Sequence, residues 1–183
     1  MNLSLNGSWW LFGLEEKRGK NPPFGVLPEI DGAAYAVEAA VPGNCQLDLF
    51  RAGLLPEPFF GDNYYQYIRL EHFGWVYMRS FVFDGAGEDE TVFLRFDGVD
   101  TVADIFLNGV CIGHTEDMLV EHEFDVTGQI NVGENSLAVH FFSSVNSPGR
   151  RNIPWGCRGT PGGPRSRTCA GPPTASAGIS SPG

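Results

Sequence analysis

The chain has 183 residues, of which 42% are hydrophobic and 13% aromatic, and its formal net charge is −10 at pH 7. That length is enough for one domain with a stable hydrophobic core. Positions 1–149 hold all 22 acidic residues beside seven basic ones, a net charge of −15. A body this acidic excludes nucleic acid and anionic membrane surfaces as expected partners.

No apolar run approaches the roughly 20 residues that span a bilayer, and no secretory signal is recognisable at the N-terminus. The sequence therefore predicts a cytoplasmic protein. The four cysteines show neither Cys-x-x-Cys spacing nor a partnered histidine, which favours free thiols over a disulfide framework. They are Cys45, Cys111, Cys157 and Cys169.

The N-terminal quarter predicts two strands and one short helix. Residues 3–14 read as an edge strand with Trp9 or Trp10 turned into the core, and residues 35–41 read as a second strand. Residues 44–53 read as a helix in which Asn44 is the N-cap and Gly53 the stop. Leu47 and Phe50 are the expected apolar face of that helix.

Residues 54–74 form a long connection with two prolines, a Gly-Asp-Asn turn and six aromatic residues without clean periodicity. A connection of this length in a compact domain is usually functional or lies in an interface.

Residues 75–145 predict the β unit around which the chain is organised. Short runs rich in β-branched and aromatic residues alternate apolar with polar positions, as half-buried antiparallel strands do. Asn108-Gly109 is the clearest two-residue hairpin turn, because both residues tolerate a positive φ. The runs are 75–83, 91–99, 101–110, 121–126 and 135–142.

The last part of the chain has a different composition. Residues 150–183 contain seven glycines and six prolines but few large apolar residues. Such a segment cannot bury enough apolar surface to offset the entropy of ordering it. We therefore expect one domain over residues 1–147 and a disordered Pro/Gly/Arg-rich tail over residues 148–183.

No pattern of reactive residues predicts a catalytic site, a metal site or a cofactor. The acidic pairs Glu116/Asp117 and Glu121/Glu123 are close in sequence, as expected by chance among 22 acidic residues, and are read as solvated surface. The four histidines lack metal-ligand spacing and are expected to be hydrogen-bonded or solvent-facing. A nucleophile elbow, a P-loop and a dinucleotide fingerprint are all missing.

Several stretches together resemble the N-terminal domain of β-mannosidase-like enzymes of glycoside hydrolase family two. The most specific is residues 41–63, which run from Val-Pro-Gly-Asn to Gly-Asp-Asn and distinguish β-mannosidases from β-galactosidases and β-glucuronidases. The others are 5–10, 75–81, 96–109, 113–118, 124–127 and 133–137.

The resemblance implies an all-β fold, an antiparallel β-sandwich of the jelly-roll type seen in galactose-binding domains. It also implies a non-catalytic role. In such enzymes this domain scaffolds a (β/α)₈ barrel that carries two catalytic glutamates and hydrolyses terminal β-D-mannose residues. The barrel needs about 250 residues and is missing here, so we expect this chain to be inactive alone. The implied partners are that barrel and, in the full-length parent, a β-mannoside.

The resemblance also implies two substrate-binding candidates, Asp62 and Asn63, at the end of the aromatic connection. Related enzymes place a polar residue near the sugar there, whereas the alternative is that both are turn-forming Asx residues. Two other functions stay open. The chain could be a free-standing carbohydrate-binding module, or the same domain from a β-galactosidase or β-glucuronidase relative.

The tail departs from the family's pattern, which continues through His-x-Phe-Gly-Trp-Asp and Pro-Arg. Back-translation of residues 170–183 from the third base of each codon permits R-A-P-H-S-F-G-W-D-I-I-P-R, which has the family's form. We therefore hypothesise that the tail from about Trp155 is read out of frame. The alternative is a natural Pro/Gly/Arg-rich linker.

Overall fold

The computed structural model describes residues 2–16, 22–87, 89–146 and 174–180, the last of these by backbone alone. Two antiparallel sheets face each other across one core. The six-stranded sheet has the order β3-β2-β5-β10-β7-β8. Its strands are β2 (Gly7–Glu15), β3 (Tyr35–Val41), β5 (Phe73–Phe83), β7 (Ala103–Leu107), β8 (Val110–Thr115) and β10 (Gly133–Phe141).

The second sheet has the order β1-β11-β6-β9, and a two-residue strand, β4, pairs with β11 beside this path. Its strands are β1 (Asn2–Ser4), β4 (Gly43–Asn44), β6 (Phe93–Val99), β9 (His122–Asp125) and β11 (Thr174–Ser180). The predicted all-β antiparallel sandwich is therefore confirmed.

The alternation in the sequence explains which face of each strand lies in the core. On β2, Trp9 and Leu11 are 3% and 0% exposed, whereas Trp10 between them is 58% exposed. On β10, Leu137, Val139 and Phe141 share the inner face and are all buried. Residues two apart on a strand point the same way, so each strand contributes one apolar row to the core.

The N-terminal strand differs from the expectation in two ways. Residues 3–14 form two strands, β1 and β2, because Leu5 and Asn6 turn the chain between them. Moreover, β2 is not an edge strand: it pairs with β3 on one side and with β5 on the other. Its sequence gives no sign of the second partner, since every residue of a strand carries the same backbone donor and acceptor whether the edge is paired or free.

The predicted hairpin turn at Asn108-Gly109 connects β7 with β8, and both residues have positive φ, 53° and 81°. The Asn108 side chain also holds the turn against the strand next to β7. Its amide donates to the Gln129 carbonyl and to Asn135 Oδ1, and its Oδ1 accepts from the Ser136 N–H at 2.9 Å.

The predicted helix is present as α1 (Cys45–Arg51), and Asn44 Oδ1 caps it by accepting from the Leu47 N–H at 2.9 Å. Its expected apolar face was wrong, because Leu47 and Phe50 are 42% and 36% exposed. The side of α1 that faces the core instead carries Cys45, Asp48 and Leu49. A buried aspartate on that face obscured the apolar stripe in the sequence.

Within the aromatic connection the chain forms a second helix, α2 (Tyr64–Ile68), and then a 3₁₀ turn, Arg69–His72, that leads directly into β5. The described helices are thus two rather than the one expected. None of the helices in the described ranges is long and apolar enough to cross a membrane.

The predicted disordered tail falls mostly outside the described residues. The exception is Thr174–Ser180, which forms β11 and pairs with β1, β4 and β6. The expectation is therefore corrected for these seven residues. Composition misses such a strand because its backbone hydrogen bonds, which do not depend on side-chain hydrophobicity, join it to neighbours on both sides.

Three ionisable side chains are buried at the inner face of α1: Cys45 and Asp48 of the helix itself, and Tyr77 of β5. Burial raises the pKa of Asp48 above its ordinary 3.8, although the Ala40 N–H and Arg51 oppose this shift. Burial, with the charge of Asp48, also raises the pKa of the Cys45 thiol to about 12. The Tyr77 phenol has its pKa raised by burial and by the neighbouring Cys45 and Asp48.

The raised pKa of Asp48 means that folding favours its protonated form. This contribution to stability is present below the unfolded pKa and is lost as the pH rises through the folded pKa. We expect Asp48→Asn to raise the free energy of unfolding at pH 7, because the amide retains an acceptor for the Ala40 N–H without burying a charge. The gain should shrink as the pH falls towards about 4. Urea midpoints at the two pH values measure it.

The exposed Asp31→Asn serves as the control for this variant and should leave both midpoints unchanged. An Asp48→Asn protein that unfolds at the same urea concentration as the unsubstituted chain at both pH values would contradict the prediction.

Candidate functional site

The aromatic connection presents its rings to solvent. Phe59 and Phe60 are 94% and 76% exposed, and Tyr64 and Tyr65 at the start of α2 are 61% and 67% exposed. Single exposed apolar residues are ordinary, but a contiguous group of large rings marks an interaction surface. We call residues 57–65 the aromatic segment.

The aromatic segment is anchored from within rather than left loose. Tyr67 of α2 is 8% exposed, and its hydroxyl donates to the Pro56 carbonyl at 2.5 Å. Asn63 Nδ2 donates to the Glu57 carbonyl at 2.9 Å. These two bonds hold the base of the segment, so its rings project from a fixed frame.

The two candidate residues, Asp62 and Asn63, have different environments. The Asn63 side chain is used within the segment through its bond to Glu57, as expected of a turn residue. Asp62 is exposed, and its carboxylate makes no hydrogen bond or ion pair with another described residue. Of the two candidates, therefore, only Asp62 has a side chain that is available to a ligand.

A cavity of about 820 Å³ opens beside the 3₁₀ turn that follows the aromatic segment. Neither Asp62 nor Asn63 lines it. Its walls come from the end of β2, the start of β3, the 3₁₀ turn, the start of β5 and the chain after β10. The lining residues are Glu15, Glu16, Tyr35, Arg69, His72, Phe73, Val145 and Asn146.

The cavity combines aromatic rings with polar side chains that have no partner in the described structure. The rings of Tyr35 and Phe73 lie 5.2 Å apart between centroids. Glu15, Arg69 and His72 make no side-chain hydrogen bond with another described residue. A wall of this kind suits a polyhydroxylated ligand, because hydroxyl groups can bond the charged groups while a ring contacts the apolar face.

Behind this cavity, the buried Glu16 joins three separate parts of the chain. Its backbone N–H donates to the His72 carbonyl at 3.0 Å, and its Oε2 accepts from the Ser143 N–H at 3.2 Å. Its carbonyl accepts from Asn146 Nδ2 at 2.9 Å. Glu16 thereby fixes the cavity's back wall through contacts with three parts of the chain.

On the outer face of the six-stranded sheet, His140, Asp104 and His114 are cross-strand neighbours on β10, β7 and β8. His114 Nδ1 lies 2.6 Å from Asp104 Oδ1, and the Gly25 N–H donates to Asp104 Oδ2. His140 Nε2 lies 3.6 Å from Glu16 Oε1. The row is covered rather than open to a ligand.

The expectation for the histidines is wrong for His140. It is fully buried, and neither of its ring nitrogens has a hydrogen-bond partner in the described structure. The reason lies in the chain crossing above it: Phe24 packs on His114 and on Phe142, whose ring lies 4.3 Å from that of His140. This crossing seals a strip of the outer face.

The described residues hold no group of three or more His, Cys, Asp or Glu side chains suited to a metal ion. Of the acidic pairs noted in the sequence, Glu121 forms an exposed ion pair with Arg95 at 2.6 Å.

The family of domains described as "Glycosyl hydrolase 2 galactose-binding domain-like" matches residues 15–167. The chain belongs to this family. The matched range extends past Trp155, where the predicted out-of-frame segment begins; the reading frame of the tail stays a prediction.

Among its relatives, the chain is 40% identical to the β-mannosidase of Rattus norvegicus over 116 residues, which are 62% of this chain and 13% of that protein. It is 29% identical to a probable β-mannosidase of Caenorhabditis elegans over 147 residues, 78% of this chain and 16% of that protein. The crystal structure of β-D-mannosidase from Dictyoglomus thermophilum superposes with a TM-score of 0.63 at 32% identity, covering 79% of this chain and 16% of that one.

These relatives identify the chain as an N-terminal domain of the β-mannosidase-like type within glycoside hydrolase family two. The chain spans only about one-sixth of their length or less. The surface features of the domain that could contact the rest of such an enzyme are the aromatic segment and the cavity.

Sequence reasoning missed the cavity residues of the family domain, above all Arg69, His72 and Glu16. Glu16 and Ser143 are 127 positions apart, and no local pattern relates them. The outer row had no local signal either, because His140 lies opposite Asp104 only through the pairing of two strands that are distant in sequence.

We expect Glu16→Ala to destabilise the fold by about 1–3 kcal/mol, because it leaves the buried Ser143 N–H without its acceptor. Glu15→Ala is the matched control, since Glu15 is exposed and makes no described hydrogen bond. Thermal melts of the two variants measure the difference, and equal melting temperatures would contradict the assigned role of Glu16.

Proposed function

We propose that this domain is the non-catalytic N-terminal part of a β-mannosidase-like glycosidase and that it lends one wall to the sugar pocket of that enzyme. The aromatic segment is the part that would face the catalytic barrel, and the reaction of the whole enzyme would be removal of terminal, non-reducing β-D-mannose residues. The observation that carries the proposal is the set of exposed rings beside the unpaired Asp62.

Three physical features support this proposal. The four rings of the aromatic segment are too exposed to stabilise the isolated domain, so their apolar area is available to a second surface. The base of the segment is held by two internal hydrogen bonds, so it would not need to be ordered on docking. Asp62, without a partner of its own, could accept hydrogen bonds from sugar hydroxyls.

In this proposal Asn63 has a positioning role. Its side-chain bond to the Glu57 carbonyl closes the turn that carries Asp62. Substituting Asn63 would alter where Asp62 lies rather than remove a direct contact with the sugar.

The test exchanges the corresponding domain of the Dictyoglomus thermophilum β-D-mannosidase for residues 1–146 of this chain, keeping the rest of that enzyme. We expect the chimera to hydrolyse an aryl β-mannoside and the isolated chain to release no mannose. Asp62→Ala in the chimera should lower kcat/KM about tenfold, the effect of losing roughly one hydrogen bond to a charged group. Asp31→Ala, on the exposed 22–34 connection, is the control.

Two results would contradict the proposal. One is an Asp62→Ala chimera with the kcat/KM of the unsubstituted chimera. The other is mannose release by the isolated chain, which would place the chemistry within residues that we assign to a scaffold.

A second candidate, a free-standing carbohydrate-binding module, is favoured by the cavity alone. Its polar side chains Arg69, His72 and Glu15 converge beside aromatic rings without partners in the described structure. A module would bind sugar through this cavity and would need no barrel.

Calorimetric titration of the full chain with mannose and manno-oligosaccharides separates the two functions. The scaffold proposal expects no saturable binding up to millimolar sugar. A module would bind at millimolar concentration or tighter, and Arg69→Ala would abolish this binding whereas Arg51→Ala on α1 would preserve it. Binding that neither substitution changes would exclude the cavity as the site.

A further inference from the structure

A strand from far downstream completes the smaller sheet. β11 lies between β6 on one side and β1 and β4 on the other. Ala175 to Ser180 pair with Val99 to Phe93, with one register shift, and Asn2 to Ser4 pair with Ser180 to Gly178. In the described part of the chain, β11 is the only strand that joins β1 and β4 to the rest of the sheet.

The β6 wall of this groove is held without β11. On its other edge β6 pairs with β9 from Phe93 to Phe96. Leu94 and Phe96 anchor β6 in the core at 1% and 0% exposure. Just before the strand, the Val92 N–H donates to Thr127 Oγ1 at 2.9 Å.

The opposite wall is also fixed to the body. Leu5, directly after β1, is 1% exposed. Its carbonyl accepts hydrogen bonds from Trp9 Nε1 and from Arg79 Nη1, both at 2.8 Å. The Asn6 carbonyl accepts from the same Arg79 nitrogen at 2.9 Å. β4 is held by the Asn44 cap of α1. Both walls are therefore positioned by contacts that do not involve β11.

The strand itself is not joined to its neighbours by a short turn. It follows β10 in the sequence, and 32 residues separate Phe141 from Thr174. A two- to five-residue hairpin fixes a strand beside its partner, and β11 has no such connection to β1, β4 or β6.

We propose that the groove between β6 and β1 is a strand-accepting site that also binds the Thr174–Ser180 segment when a second molecule supplies it. Binding is by antiparallel β-pairing on both edges, the mode in which an extended peptide gains affinity from backbone hydrogen bonds. The proposal does not depend on the proposed function.

The register defines the chemistry of the segment that fits. Alternate positions 175, 177 and 179 pair with Val99, Phe96 and Leu94, all of which are core residues of β6. The accepted segment is therefore extended, and its three residues at these register positions are Ala, Ala and Ile in this chain.

The test uses the full chain with its own strand disabled. Ile179→Lys places a charge at a register position opposite Leu94, whereas the matched control Ser176→Lys lies opposite Gly98. We expect Ile179→Lys to lower the melting temperature by several degrees and Ser176→Lys to leave it nearly unchanged.

A fluorescein-labelled synthetic peptide of residues 172–182 is then titrated into each protein and followed by anisotropy. It should bind the Ile179→Lys chain saturably and restore its melting temperature. Binding to the unsubstituted and Ser176→Lys chains should be at least tenfold weaker, because their own strand competes. A peptide that itself carries Ile179→Lys should not bind.

Three results would overturn the proposal. The Ile179→Lys chain could melt like the unsubstituted chain, which would show that the segment does not occupy the groove. The peptide could fail to bind that chain, or fail to refold it if the substitution unfolds it, which would show that the groove is not preformed. Equal binding of the two peptides would show that the register does not select the segment.

Discussion

Nine consecutive residue pairs between β5 and β10, from Trp75 opposite Phe141 to Phe83 opposite Gly133, hold the centre of the six-stranded sheet. Each of these strands has a further partner on its other edge, β2 beside β5 and β7 beside β10. A slip of one residue in this register would turn Leu137, Val139 and Phe141 out of the core and bring Ala138 and His140 in. Which side chains of the sheet face the core and which face outward therefore depends on this register.

The same register determines what can lie at the end of the sheet. Phe73 enters β5 directly from the 3₁₀ turn, and Phe141 leads out of β10 two residues before Ser143. These neighbouring strand ends let the Glu16 N–H donate to the His72 carbonyl and the Glu16 carboxylate accept from the Ser143 N–H. The cavity therefore forms where the ends of β2 and β10 lie beside the starts of β3 and β5.

Local sequence was sufficient wherever structure depends on neighbouring residues. Alternation identified the strands, because a half-buried strand needs only a period of two. Asn108-Gly109 determined its turn through φ, and Asn44 began α1 through one hydrogen bond. The inward face of α1 could not be predicted, since Asp48 occupies a core position that the apolar pattern assigns to solvent.

Sites that join distant parts of the chain had no such signal. The Glu16 contacts, the outer row of His140 and Asp104, and the place of β2 inside its sheet all require knowledge of which strands are neighbours. Asp62 and Asn63 came from resemblance rather than from periodicity, and the structure distinguishes them by one hydrogen bond, the Asn63 contact with Glu57. Sequence therefore identified the exposed aromatic segment but not the cavity beside it.

Two observations lead to opposite expectations about whether Thr174–Ser180 is ordered: the composition of the C-terminal tail and the topology of the smaller sheet. Few large apolar side chains argue against an ordered segment, because each ordered backbone residue costs about 1–2 kcal/mol. A strand with partners on both edges, however, satisfies backbone donors and acceptors of β1, β4 and β6 that would otherwise form exposed edges. Order in this segment is therefore a property of the groove more than of the segment's own sequence.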